Sequence, residues 1–133
     1  MKIIIDTNLW ISFMLGRKIT TMRTLLTSPA LEIYVCRELL DEFHDVSSRE
    51  KIRKYIRPED LDDTLKLIQL YGKYAVIQTQ SKSDIRDKKD LYLLSLADTI
   101  KANYIVTGDK DLLVLEKHNR TKIVTITEFM KLL

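Results

Sequence analysis

The sequence predicts an α/β fold built around a parallel sheet. Short, wholly apolar runs recur along the 133 residues, and helical stripes of apolar residues separate them. No internal repeat, low-complexity tract or long linker interrupts the alternation. Strands this short and apolar, joined by helices, belong to a parallel sheet covered on both faces.

The elements follow in order. Lys2–Ile5 (KIII) reads as the first strand. Ile19, Met22, Leu25 and Leu26 then form one apolar helical stripe. Leu31–Val35 (LEIYV) is the second strand, after a Ser28-Pro29 turn. Leu39, Leu40, Phe43 and Val46 form a second stripe. Pro58 starts a third helix, with Glu59, Asp60, Asp62 and Asp63 near its first turns, where the helix dipole favours anions. Leu61, Leu65 and Ile68 are expected to face inward there. Tyr74–Ile77 (YAVI) is the third strand. Leu93, Leu94, Ala97 and Ile100 make a fourth stripe. Tyr104–Val106 and Lys122–Ile126 are strands four and five. A terminal helix is expected over Glu128–Leu133, capped by Thr127.

Composition narrows the function. The chain is long enough for one domain with a real core. Its lone cysteine, Cys36, forms no internal disulfide and reads as a packed side chain in a reducing compartment. The longest near-apolar stretch, Leu9 to Leu15, is far below the ~20 residues of a membrane span. With a strand beginning at Lys2 and no targeting segment, a soluble cytoplasmic protein is expected. The net charge of +3 says little, but its arrangement says more. REKIRKYIR carries Arg49, Lys51, Arg53, Lys54 and Arg57, five basic residues in nine. Lys82, Arg86, Lys88 and Lys89 form a second cluster. Such clusters hold phosphate backbones when they are not simply solvated faces.

Four acids stand out by position. Asp6 ends the first strand, and Asp109 directly follows the fourth. Ligand sites in open parallel sheets lie beyond the carboxyl ends of the strands. Glu42 borders the apolar stripe of its helix. Asp90 shares a helix face with Leu94 and Ala97. Asp87 is its rival in DKKD, and the helical register favours Asp90. Singly, each acid has an ordinary explanation as a cap, a turn or an edge residue. Together they could converge on one rim. Two carboxylates ~5 Å apart at an effective dielectric of ~20 repel by roughly 3 kcal/mol, so a cluster calls for a cation. All-oxygen donors suit Mg²⁺ or Mn²⁺. His44 and His118 have no metal-ligand spacing and read as surface residues, and zinc has no thiol pair. A carboxylate-held divalent ion serves phosphodiester hydrolysis.

The residues then match a known family. IIIDTNLWISFML, RELLDEFHDVSSREKI and DKKDLYLLSLADTIKANYIVTGDKDLL resemble the corresponding stretches of PIN-domain ribonucleases. The likeness is closest to the small stand-alone prokaryotic branch described as toxins of type II toxin–antitoxin systems. This resemblance implies a three-layer α/β/α fold with strand order 3-2-1-4-5, and a single PIN domain over residues 1–133. It implies a Mg²⁺- or Mn²⁺-dependent endoribonuclease whose catalytic, metal-binding acids match Asp6, Glu42, Asp90 and Asp109. Asn8 and Thr107 match the polar positions that steady the site, and Asp111 is an additional acid. An RNA substrate, an antitoxin partner and a homodimer are implied too. IKAN, between the fourth helical stripe and strand four, lacks the glycine often seen there in the family. The alternative is a non-catalytic module that binds RNA or protein. Two other acid-bearing folds fit less well. A phosphorelay receiver needs an acidic pair after strand one and a phospho-accepting Asp after strand three, where Gln78-Thr79 stands. A haloacid-type phosphatase needs Asp-x-Asp at strand one, where position 8 is Asn.

Overall fold

The computed structural model describes residues 1–16, 18–80 and 90–133. A six-stranded sheet is flanked by helices. Its strands are β1 (Lys2–Ile5), β2 (Glu32–Val35), β3 (Lys73–Tyr74), β4 (Tyr104–Val106), β5 (Lys117–His118) and β6 (Thr121–Val124). They lie in the order β3-β2-β1-β4-β6-β5. All neighbours are parallel except the β5–β6 pair. The five parallel strands therefore keep the expected 3-2-1-4-5 arrangement, and β5 is an added antiparallel edge. KIII sits at the centre, and Ile3, Ile4 and Ile5 are all buried. A strand covered on both faces has no use for alternation, which is why three isoleucines follow one another.

The helices are α1 (Thr7–Leu15), α2 (Ile19–Thr27), α3 (Arg37–Ser48), α4 (Glu50–Arg53), α5 (Pro58–Tyr71), α6 (Leu91–Ile100), α7 (Lys110–Leu113) and α8 (Ile126–Met130). The first three apolar stripes seat α2, α3 and α5 against a layer that also contains α1. Helix α6 packs on β1 and β4 instead. Its buried Leu93, Leu94, Ala97 and Ile100 are the expected fourth stripe. Right-handed crossovers send helices to opposite faces once the strand order reverses. Here it reverses between β1 and β4.

Several local expectations need correction. Strand β3 covers only Lys73–Tyr74, because the chain leaves the edge after Ala75. The Gln78 and Thr79 amides instead donate to Thr99 Oγ1 of α6, at 3.0 and 3.4 Å. In α5 it is Asp60, Thr64, Leu67 and Ile68 that are buried, and Leu65 is exposed. The last helix starts earlier than expected and is capped by Thr125. Its hydroxyl accepts from the Glu128 amide while the Glu128 carboxylate accepts from the Thr125 amide, a reciprocal capping box. Histidine 118 is not a surface residue: its Nε2 lies 3.0 Å from Asp98 Oδ2 and its side chain is mostly buried. Asn119 Nδ2 donates to the other oxygen of Asp98 at 2.7 Å. Strand β5 is thus held by its pairing with β6 and by bonds to α6, and its two residues carry no strand-like pattern. Cys36 is buried as expected, and burial pushes its thiol up to about 11.

The missing glycine has a visible consequence. Lys101 ends α6 in the left-handed region, at φ 58° and ψ 53°. The Ala102 amide turns back to the Ala97 carbonyl at 3.0 Å. A side chain there costs roughly 1–2 kcal/mol, which glycine avoids at a smaller entropic cost. Lys101→Gly is therefore expected to raise stability by about 0.5–1 kcal/mol in urea unfolding.

Candidate active site

The reversal between β1 and β4 opens a crevice at the carboxyl ends of these strands, where open α/β sheets take their ligands. Residues 3–5 of β1 pair with 104–106 of β4 in parallel register. That register carries Asp6 and Thr107 off the ends side by side. The Asp6 amide donates to the Val106 carbonyl at 3.0 Å, so the ladder runs one residue past the strand. Asp6 is then the N-cap of α1, and both residues are buried.

One hydroxyl organises this rim. Thr107 Oγ1 donates to Asp6 Oδ2 at 2.7 Å and accepts from the Asp109 amide at 3.0 Å. Its single proton is thereby committed to Asp6. The distance is that of a good hydroxyl hydrogen bond. Among the described residues, Asp6 Oδ1 receives only the Asn8 amide, at a long 3.5 Å. Burial raises the Asp6 pKa above 3.8. The Thr107 and Asn8 bonds lower it, and the Glu42 and Asp109 charges raise it again. The rim therefore brings Asp6, Glu42 and Asp109 into electrostatic range of one another. Asp109 caps α7, its Oδ1 accepting from the Asp111 amide at 2.9 Å. Asp111 itself is half-buried.

Glu42 reaches the rim from α3 and is half-buried. Its Oε2 accepts from the Tyr92 hydroxyl at 2.7 Å, a bond between side chains 50 residues apart. Sequence reading passed over Tyr92 and Thr7. Tyr92 sits among the apolar residues of α6 and looks like core. Thr7 is buried, with its hydroxyl beside the Tyr92 phenol and 3.5 Å from the Leu39 carbonyl. Burial, the bond to Glu42 and the nearby charges push the Tyr92 phenol far above its ordinary pKa, so it stays a proton donor. Asp90 is buried at the N-cap of α6, with Leu94 and Ala97 buried below it, as its register suggested. Asp87 and the Lys82, Arg86, Lys88 and Lys89 cluster lie outside the described residues. Asn8 meets Asp6 through its backbone, and its side chain is exposed.

Among the described residues, no group of three or more His, Cys, Asp and Glu side chains is arranged to hold a metal ion directly. The donor chemistry nonetheless suits Mg²⁺ or Mn²⁺. The rim supplies carboxylate oxygens alone, and Mg²⁺ commonly keeps several waters while touching one or two carboxylates. A cation there would offset the repulsion that raises Asp6.

The basic segment is sorted by its partners. All five cations are exposed. Arg49 pairs with Asp45 at 3.0 Å, and Arg57 grips the buried Asp60 through two nitrogens, each at 3.0 Å. Lys54 Nζ stands 5.2 Å from the centre of the exposed Tyr55 ring. Lys51, Arg53 and Lys54 form no ion pair among the described residues.

Thr107→Val keeps the shape of the side chain and removes both of its bonds. It is expected to cost about 1–3 kcal/mol in urea unfolding at neutral pH, with Thr107→Ser restoring most of the loss.

A family model for the PIN domain matches residues 2–111. No curated protein matches the chain. The matched span holds strands β1 to β4, helices α1 to α6 and the acids Asp6, Glu42 and Asp109. Strand β6, which lies beyond it, pairs with β4 in the same sheet. PIN domains are typically nucleases that act on RNA, commonly with Mg²⁺ or Mn²⁺. The match extends over most of the chain, and the sheet, its strand order and its helical layers are those of a three-layer α/β/α fold: this chain belongs to the PIN-domain family.

Proposed function

We propose that this chain is a Mg²⁺- or Mn²⁺-dependent endoribonuclease, acting as one domain over residues 1–133. Its working acids are Asp6, Glu42, Asp90 and Asp109, supported by Asn8, Thr107, Asp111 and, as the rival to Asp90, Asp87. The observation that carries this reading is the Thr107 hydroxyl. It holds Asp6 at the strand-order reversal with Glu42 and Asp109 in electrostatic range. A structural cap needs no such fixing and gains nothing from two neighbouring negative charges.

Asp6, Glu42, Asp90 and Asp109 are the residues that would hold the ion. When bound, it supplies Lewis-acid activation of water and neutralises charge on the leaving oxygen. The protein's own part is positioning. Thr107 keeps one Asp6 oxygen committed, so the other faces the rim with only a long amide contact. Asp109 is fixed in the same way by the Asp111 amide. Lys51, Arg53 and Lys54 are free of ion pairs to described residues and suit an RNA backbone. Arg49 and Arg57, tied to acids, contribute less.

The resemblance to small prokaryotic toxins extends the reading. The protein then works in the cytoplasm as a homodimer, and a cognate antitoxin silences it by covering the acidic rim. A short adjoining reading frame with a DNA-binding pattern would support that role.

One observation favours the alternative of a non-catalytic binding module: no three acids among the described residues grasp an ion directly. Cleavage separates the two readings. Asp6→Asn is expected to lower Mg²⁺- or Mn²⁺-dependent degradation of a generic single-stranded RNA at least a hundredfold, with circular dichroism unchanged. Equal cleavage by wild type and variant would overturn the catalytic assignment. No metal-dependent cleavage by either, with RNA still bound, would favour the binding module.

A further inference from the structure

Glu42 is a half-buried member of a repelling set. Buried Asp6 is fixed by its strand end and Thr107, but Glu42 is a long, half-buried side chain on a helix. Left alone, it would relieve the repulsion by turning toward water. The Tyr92 hydroxyl opposes that motion. It donates to Glu42 Oε2 at 2.7 Å, from a helix that packs on β1 and β4 and so moves with the strands that aim Asp6. The bond occupies one carboxylate oxygen and leaves Oε1 for a ligand. Thr7, buried next to Asp6 in the chain, lies beside the same phenol. The phenol is thereby steadied from the α1 side as well.

We propose that Tyr92 is a positioning residue: its hydroxyl, backed by Thr7, holds Glu42 against the acidic rim so that Glu42 and Asp6 face one divalent ion. The inference rests on the reading of Glu42 as one of the acids that hold the ion. Tyr92 touches neither ion nor RNA in this account and acts only through Glu42.

The test is a double-mutant cycle on metal-stripped protein: wild type, Tyr92→Phe, Glu42→Gln and the pair. Mn²⁺ affinity is read by titration calorimetry, beside thermal unfolding in EDTA. Tyr92→Phe keeps the partly buried ring. It is expected to weaken Mn²⁺ binding about tenfold, and Glu42→Gln at least as much. The double variant should bind no more weakly than Glu42→Gln alone. If Tyr92→Phe leaves Mn²⁺ affinity unchanged while Glu42→Gln weakens it, the positioning role is overturned and the acid reading stands. The same holds if the Tyr92→Phe loss persists undiminished in the Glu42→Gln background, which would mark a general structural effect. If Glu42→Gln itself leaves Mn²⁺ affinity unchanged, the acid reading fails and takes this inference with it.

Discussion

The bond on which this molecule depends joins the ends of two strands. Thr107 Oγ1 donates to Asp6 and accepts the Asp109 amide. Those residues follow β1 and β4, the pair between which the strand order reverses. Burying a carboxylate is costly unless it is well bonded. Asp6 has one short bond, one long one, and two negative neighbours. The rest of the fold sustains this unfavourable spot. Three buried isoleucines fix the direction of β1, and the parallel register with β4 fixes which residue lies beside it. Stability elsewhere is spent on keeping one charged group at one point, a pattern typical of sites that act on something.

The helical layers meet over the same point. Glu42 arrives on α3, from the layer shared by α1, α2 and α5. Tyr92 arrives with α6, which packs on β1 and β4. The Glu42–Tyr92 bond is therefore a tie between layers as well as a contact within the rim. Basic character lies on a different segment. Within it, two of five cations are engaged by acids of their own helices or caps, so the formal charge overstates the surface on offer.

Much of this was legible in the sequence, for physical reasons. The buried positions of KIII, EIYV and YIV are all isoleucine or valine, and a buried strand announces itself. The positions of Asp6 and Asp109, at and just past the ends of apolar strands, were legible, and both residues also cap the helices that follow. The register of Asp90 with Leu94 and Ala97 foretold its burial. Tyr92 was illegible because one oxygen among apolar residues leaves no periodic trace, and its partner is 50 residues away. Strand β5 was illegible because it is only two residues long and owes its place to pairing with β6 and to the His118–Asp98 contact. Leu65 misled because α5 buries Thr64 instead, whose hydroxyl is satisfied by the Asp60 carbonyl at 2.7 Å. Thr127 misled because two threonines flank the helix start. Only Thr125 stands three residues before a glutamate.

The central proposal is that a divalent cation binds beside Asp6, whose carboxyl is held above its ordinary pKa by burial. A folded-state pKa above the unfolded value gives stability that is full below pH 3.8 and lost as pH rises through the folded value. A bound cation must pull that value down. The direct measurement is the titration of the Asp6 carboxyl by ¹³C NMR, assigned with Asp6→Asn, in EDTA and again in saturating Mg²⁺. The account predicts a midpoint above that of an ordinary aspartate without metal, and a clear downward shift with Mg²⁺. An ordinary midpoint without metal, or one that Mg²⁺ leaves in place, would contradict it.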